Sequence, residues 1–370
     1  MRIQKKQLWI IISVTVACCG IFVLFKHNIA IQPQEAFQSI IIENTSKEIS
    51  INDLFNEFEY ISLETSENSI FAAIDKLIIY DDKYYILDRN TKKIFVFRQD
   101  GSFVQTIGSI GSGPGEYTHL ADFVIDEENK RIIVLGYYST IYIYDLNGIF
   151  IQQKQLLSSP LWSMCSFRDG FVCSNNHESI GGSLIFIFDN DFNLIDTMGK
   201  VVDKGSTLPV FVRQPFLKDG ENVAYFDNVH SSICYIHPSN EKSIHFILST
   251  PIPSDAQSDL QKFITNQGNY CFFLNAYLAD DMFWASFANK GKEVILVRDL
   301  KNNLQITANS KGWYPRIMSH ANGWFYSALD IHWILDEDPP ISSAKRVTKY
   351  PIDDNSNSVI VRFKPKTIFE

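Results

Sequence analysis

One pattern, repeated, governs what this chain can become: a short aromatic or β-branched strand, a polar turn, then another strand, with the set returning after about 45 residues. The equivalent turns fall near residues 100, 147, 191, 240 and 302, with one insertion before the fifth. Asp100-Gly101 follows Phe95-Val96-Phe97, and Asn147-Gly148 follows Tyr142-Ile143-Tyr144. Asp, Asn and Gly enter the left-handed backbone region cheaply, as tight hairpins require. Helical periodicity is nearly absent beyond residue 30. The 28 Phe and 16 Tyr fit strands, where flat rings pack well on a pleated surface.

The units run over residues 74–107, 119–156, 162–199, 213–248 and 268–306. A sixth begins at 313–329 and resumes at 358–363, after a polar insert at 330–357. Six units of four strands predict an all-β chain: a six-bladed β-propeller of antiparallel blades, an architecture that leaves only short sheet edges. The sixth unit lacks its last strand, while residues 58–63 precede the first unit unclaimed. We expect these to pair with 358–363, so that the two ends of the chain close the ring. The expected organisation is a signal segment at 1–30, a linker at 31–50 and the propeller at 51–370.

The stretch 100–126 is where one unit hands over to the next. Gly108, Gly111, Gly113 and Gly115 invite a phosphate-binding reading, but no Gly-Lys-Ser/Thr ending follows, and Pro114 precedes a strand rather than a helix. The glycines are read as letting a long connection turn sharply. Glu116, Tyr117 and His119 then stand where an inner strand begins, at an end of the ring where propellers usually bind ligands. Trp162, Arg213, Trp313 and Arg316 hold corresponding positions in other units. Arg, Trp, Tyr and Glu around one opening suit a glycan or a peptide, through stacking and paired hydrogen bonds. Stapling of adjacent units is the competing role for each.

Arg2, Lys5 and Lys6 precede an uncharged run over residues 8–25, followed by Lys26. Positive residues before such a run predict an inside N-terminus, with a signal anchor in the cell membrane and the rest outside the cytoplasm. Thr15-Val16-Ala17-Cys18 offers the alternative of a cleaved lipoprotein acylated on Cys18. A net charge of -9 and a pI near 5.4 give no footprint for nucleic acid. Cys165 and Cys173 are symmetric about Asp169, so a hairpin turning there would set them opposite one another, as a disulfide or as two packed thiols. Outside residues 1–30 there is no Cys-x-x-Cys pair, and no His-x-His, His-Glu-x-x-His or Gly-x-Ser-x-Gly motif occurs. Asp189–Asn193 lacks the glycine and distal Glu of a calcium loop. No metal, cofactor or catalytic residue is assigned from the sequence.

The GSGPGEY loop with its following strand ending at Asp126, and the IYIYDLNGIFI hairpin, resemble the six-bladed, NHL-related propellers exported by Bacteroidetes. The resemblance spans about residues 50–368 and is densest over 58–152. It departs from the NHL pattern at Leu120-Ala121, where a proline would be expected. It implies an extracytoplasmic binding or protein-interaction module in the periplasm or at the cell surface. A lyase or hydrolase working at the channel mouth is the alternative, and a structural component of a cell-envelope complex the second.

Overall fold

The computed structural model describes residues 38–42, 45–177, 182–201, 214–227, 230–236, 243–335, 341 and 343–369. The segment read as a signal anchor, with Cys18, lies outside them, as does Arg213. Among the described residues no helix is long and apolar enough to cross a membrane.

The recurring turn is a recurring piece of local chemistry. At the end of the third strand of three blades sits an aspartate whose Oδ1 accepts two backbone N–H groups of the turn that follows. Asp145 takes those of Asn147 and Ile149, Asp189 those of Asp191 and Asn193, and Asp299 those of Lys301 and Asn302. A left-handed residue ends each turn, with φ of 78° at Gly148, 62° at Phe192 and 61° at Asn303. The ladder shifts by one residue just before the turn in blades 1, 2 and 3, a bulge that adds twist.

Six sheets result. Blade 1 comprises Lys76–Tyr80, Lys83–Asp88, Lys93–Arg98 and Phe103–Ile107. Blade 2 comprises Asp122–Asp126, Arg131–Leu135, Thr140–Asp145 and Phe150–Gln155. Blade 3 comprises Ser163–Phe167, Gly170–Ser174, Ser183–Asp189 and Leu194–Lys200. Blade 4 comprises Phe216–Asp219, Asn222–Asp227, Ser232–Tyr235 and Ser243–Leu248. Blade 5 comprises Cys271–Ala279, Met282–Asn289, Lys292–Asp299 and Gln305–Ser310. Blade 6 takes Ser319–Ala321, Trp324–Leu329 and Val359–Pro365 from the C-terminal part of the chain. The first strands of blades 2 to 5 lie side by side in that order, and that of blade 6 lies against that of blade 1. They line the axis, and six apolar clusters fill the spaces between neighbouring blades. This is an all-β, six-bladed propeller.

Phe55–Ile61 from the N-terminal part supplies the fourth strand of blade 6, antiparallel to Val359–Pro365, with Tyr60 opposite Val361. Phe55 packs on Phe363 and Trp284 at ring-centroid distances of 4.6 and 5.1 Å. Arg362 Nη2 lies 2.6 Å from Glu59 Oε2 across the join.

Three expectations change. The stretch 31–50 is not all linker: Gln38–Ile42 edges blade 4, and Glu48–Ile49 pairs in parallel with the last strand of blade 5. Ile40, Ile42 and Ile49 are buried there, a pattern too short for periodicity to mark. Part of the polar insert covers the closing strand: Lys345–Arg346 pairs beside Glu59 and Tyr60, and Thr348 Oγ1 accepts from Ser62 N at 2.7 Å. The third concerns the cysteines. The hairpin turns on Arg168-Asp169, not symmetrically about Asp169, so Met164 faces Cys173 and Cys165 faces Val172. That half-residue difference in the turn centre sends the two side chains to opposite faces of the sheet. Both are free thiols, and no disulfide joins them.

Candidate functional site

The axis is polar because each inner strand turns part of its pleat away from the apolar clusters. At the end where these strands begin, the side chains are spent on one another. Lys76 Nζ donates to Asp122 Oδ1 at 2.8 Å, to the Phe123 carbonyl at 2.8 Å and to the Met164 carbonyl at 3.2 Å. Asp122 Oδ2 accepts from Met164 N at 2.8 Å. One amine thus ties blades 1, 2 and 3. Gln214, entering blade 4, donates through Nε2 to the Asp75 carbonyl before blade 1 at 3.2 Å. Blades 1 and 4 are opposite in a six-membered ring, so this bond spans the axis and obstructs that end.

Below this plug is a cavity of about 610 Å³, to which the inner strands of all six blades contribute. Its walls mix Met164, Phe216, Tyr277 and Met318 with Cys165, Ser166 and Ser319. It reaches the turns that follow the inner strands, at Glu127, Glu128, Arg168, Asp219 and Gly220. Lys218 Nζ donates to Ser166 Oγ at 2.6 Å, and His320 Nε2 lies 3.4 Å from Asp280 Oδ2. Burial pushes the Cys165 thiol up, which disfavours the nucleophilic thiolate. The volume falls within the range of small-ligand pockets, roughly 300–1,000 Å³. Charges of both signs at the mouth suit a polar or zwitterionic guest.

The residues singled out from sequence stand at the other end. Glu116 folds back on its own loop, its Oε2 accepting from Gly113 N at 2.8 Å. Tyr117 is buried, with its hydroxyl donating to the Ile107 carbonyl at 2.9 Å and held above its ordinary pKa by burial. His119 and Trp162 meet edge to face at 5.6 Å, and Tyr137 packs on His119 at 6.1 Å. The His119 imidazole is held below its usual pKa by burial, with Lys92 and Arg89 adding to the effect. Trp313 packs against the cluster between blades 5 and 6. Arg316 lines a separate pocket of only about 20 Å³ with Gln214 and Tyr277. None of these described residues lines the large cavity.

The cavity residues escaped sequence reading because apolar strand character dominates their surroundings. One signal was present: inner strands begin on a polar residue, as in Asp75-Lys76, Asp122 and Ser163.

The chain belongs to the family described as domain of unknown function (DUF4934), whose model matches residues 35–364. Among solved structures it is similar to a Bacteroides fragilis protein described as exported. The match has a TM-score of 0.70 at 17% identity and covers 90% of this chain and 100% of that one. It is also similar to a member of the duf4221 family from Bacteroides vulgatus. Here the TM-score is 0.54 at 8% identity, with 85% of this chain and 98% of that one covered. At such identities the likeness is one of fold. No curated protein matches the chain.

Proposed function

We propose that this chain is a non-catalytic binding propeller held outside the cytoplasm, taking a glycan or a peptide segment into its central cavity. The observation that carries the reading is the blind well: about 610 Å³, obstructed at one end by Lys76, Asp122 and Gln214, and reaching turns of mixed charge at the other. Groups so fully engaged with one another hold the ring together and are poorly placed to move protons. The charged run-in and uncharged stretch at residues 2–25 support export with retention on a membrane. The description of the B. fragilis protein as exported fits this location. Kinship to NHL-type propellers is part of the same proposal. His119 and Trp162, beside exposed Tyr137 and Tyr138, form a second aromatic surface on which a sugar ring could stack.

The test is direct. Purified full-length chain is screened on glycan and peptide arrays, and the best binder is titrated against Ser166→Trp, which fills the cavity from its wall. Affinity should fall about tenfold or more, with the thermal midpoint moving by no more than a few degrees. Undiminished binding by the folded variant would remove the cavity from the account. His119→Ala then reports whether the aromatic surface is the site instead.

A further inference from the structure

Away from the cavity, connections between the second and third strands of blades 3 and 4 bring together three side chains that lie far apart in sequence. His177 follows Gly170–Ser174, Asp227 ends Asn222–Asp227, and His230 lies three residues beyond. Strand order puts these connections at the plugged end of the ring, opposite the turns that the cavity reaches. His177 Nε2 lies 3.2 Å from Asp227 Oδ1, and His230 Nδ1 lies 2.8 Å from Asp227 Oδ2. One donor atom from each residue can be chosen so that all lie within 4.8 Å of one another. His177 is 2% exposed, and neither of its ring nitrogens makes a hydrogen bond of good geometry among the described residues. The Asp227 carboxylate beside Nε2 offsets only part of the desolvation cost of burying such an imidazole, about 1–3 kcal/mol.

We propose that His177, Asp227 and His230 bind a divalent first-row transition metal, with zinc as the reference ion. Two imidazoles and one carboxylate form a donor set that suits zinc and its neighbours, whereas calcium and magnesium prefer oxygen alone. Bonds of about 2.0–2.1 Å around a tetrahedral zinc separate its ligand atoms by roughly 3.4 Å. Each carboxylate–imidazole contact is at or inside that separation, but on a different carboxylate oxygen. With one oxygen as ligand, the second imidazole must close on it and on the first, and His230, with its side chain 38% exposed, is the one placed to move. Three protein ligands leave a coordination position open. The ion would give His177 a bond in place of a poorly directed contact with Asp227, and would strengthen the tie between blade 3 and blade 4 at the rim. A histidine–aspartate–histidine staple without metal is the competing account, and it predicts no stoichiometric ion.

The experiment uses the full-length chain, stripped with chelator and dialysed against micromolar zinc chloride. Elemental analysis should find about one zinc per chain, and the thermal midpoint should rise on loading. His230→Ala, at the most exposed of the three residues, should fold normally by circular dichroism and bind zinc at least about tenfold more weakly. His332→Ala, at an exposed histidine elsewhere, should leave binding unchanged. Retention well below one equivalent would overturn the proposal. So would equal retention by wild type and His230→Ala, or an equal loss in both variants, which marks surface histidine binding. Should His177→Ala fail to fold, His230→Ala decides the matter alone.

Discussion

Asn357 is 2% exposed, and its amide is committed to the join between the chain ends. Its Oδ1 accepts from Phe71 N at 3.0 Å, while Nδ2 donates to the carbonyls of Glu64 and Ser69 at 3.2 and 3.0 Å. Asn357→Ala takes the partner from Phe71 N and the Ser69 carbonyl, while the Glu64 carbonyl keeps the Ser69 hydroxyl, and should destabilise the fold by about 2–4 kcal/mol, read from urea unfolding. A change within a few tenths of a kcal/mol would show that water replaces the amide. Glu293 makes a prediction in pH. Burial pushes its carboxyl up to about 7 from an ordinary 4.5, against the opposing pull of the Ser286 hydroxyl. The folded chain therefore holds a proton that the unfolded chain has released. The stability this confers is complete below about pH 4.5 and is lost as pH rises through 7. Glu293→Gln keeps the neutral form at every pH, so it should match the wild type near pH 5 and exceed it by roughly 1–3 kcal/mol near pH 8. Equal denaturation midpoints at the higher pH would refute the shift. Neither residue announces itself in sequence, since both depend on partners distant in the chain or on burial. The same holds for His177 and Asp227, fifty residues apart by number and neighbours only across two blades.

Elements were the most legible scale, because turns carry their own chemistry. Asp145, Asp189 and Asp299 fix their hairpins through local hydrogen bonds, and such turns can be recognised before any tertiary contact is known. Alternation then sets which residues face the clusters. What stayed hidden were elements without a turn signal. Glu48–Ile49 is two residues long and becomes a strand only because the edge of blade 5 is there to receive it. The cysteine hairpin shows the limit of symmetry arguments: a turn of Arg168-Asp169 rather than one centred on Asp169 reverses which side chains meet. The closing strand carries the prediction at this scale. Phe55 is 1% exposed and touches rings from blades 5 and 6. Phe55→Ala should cost about 3–5 kcal/mol and lower the calorimetric midpoint by several degrees. A cost under about 1 kcal/mol would mean that this strand is carried by its backbone pairing alone.

For the whole molecule, the question is what the N-terminal residues 38–63 contribute when they touch three blades in succession. The first part adds edge strands to blades 4 and 5, burying Ile40, Ile42 and Ile49. Each such side chain is worth about 1.5–3 kcal/mol when buried. Ordering the surrounding backbone opposes this by about 1–2 kcal/mol per residue, so the net contribution is small. The second part is different in kind. Phe55, Phe58 and Tyr60 belong to the cluster between blades 5 and 6, whereas Ile61 and Leu63 belong to that between blades 6 and 1. Removing them opens the ring where the N-terminal and C-terminal strands of blade 6 join. Blades in an open array are supported by nearest neighbours alone and can unfold stepwise. A chain beginning at residue 47 should therefore keep one cooperative transition, its midpoint lowered by a few degrees. A chain beginning at residue 65 should lose that single transition, giving broad, separated steps in calorimetry and early cleavage in blade 6 by limited proteolysis. If both truncated chains melt alike and cooperatively, closure by the N-terminal strand is not what makes the six blades one unit.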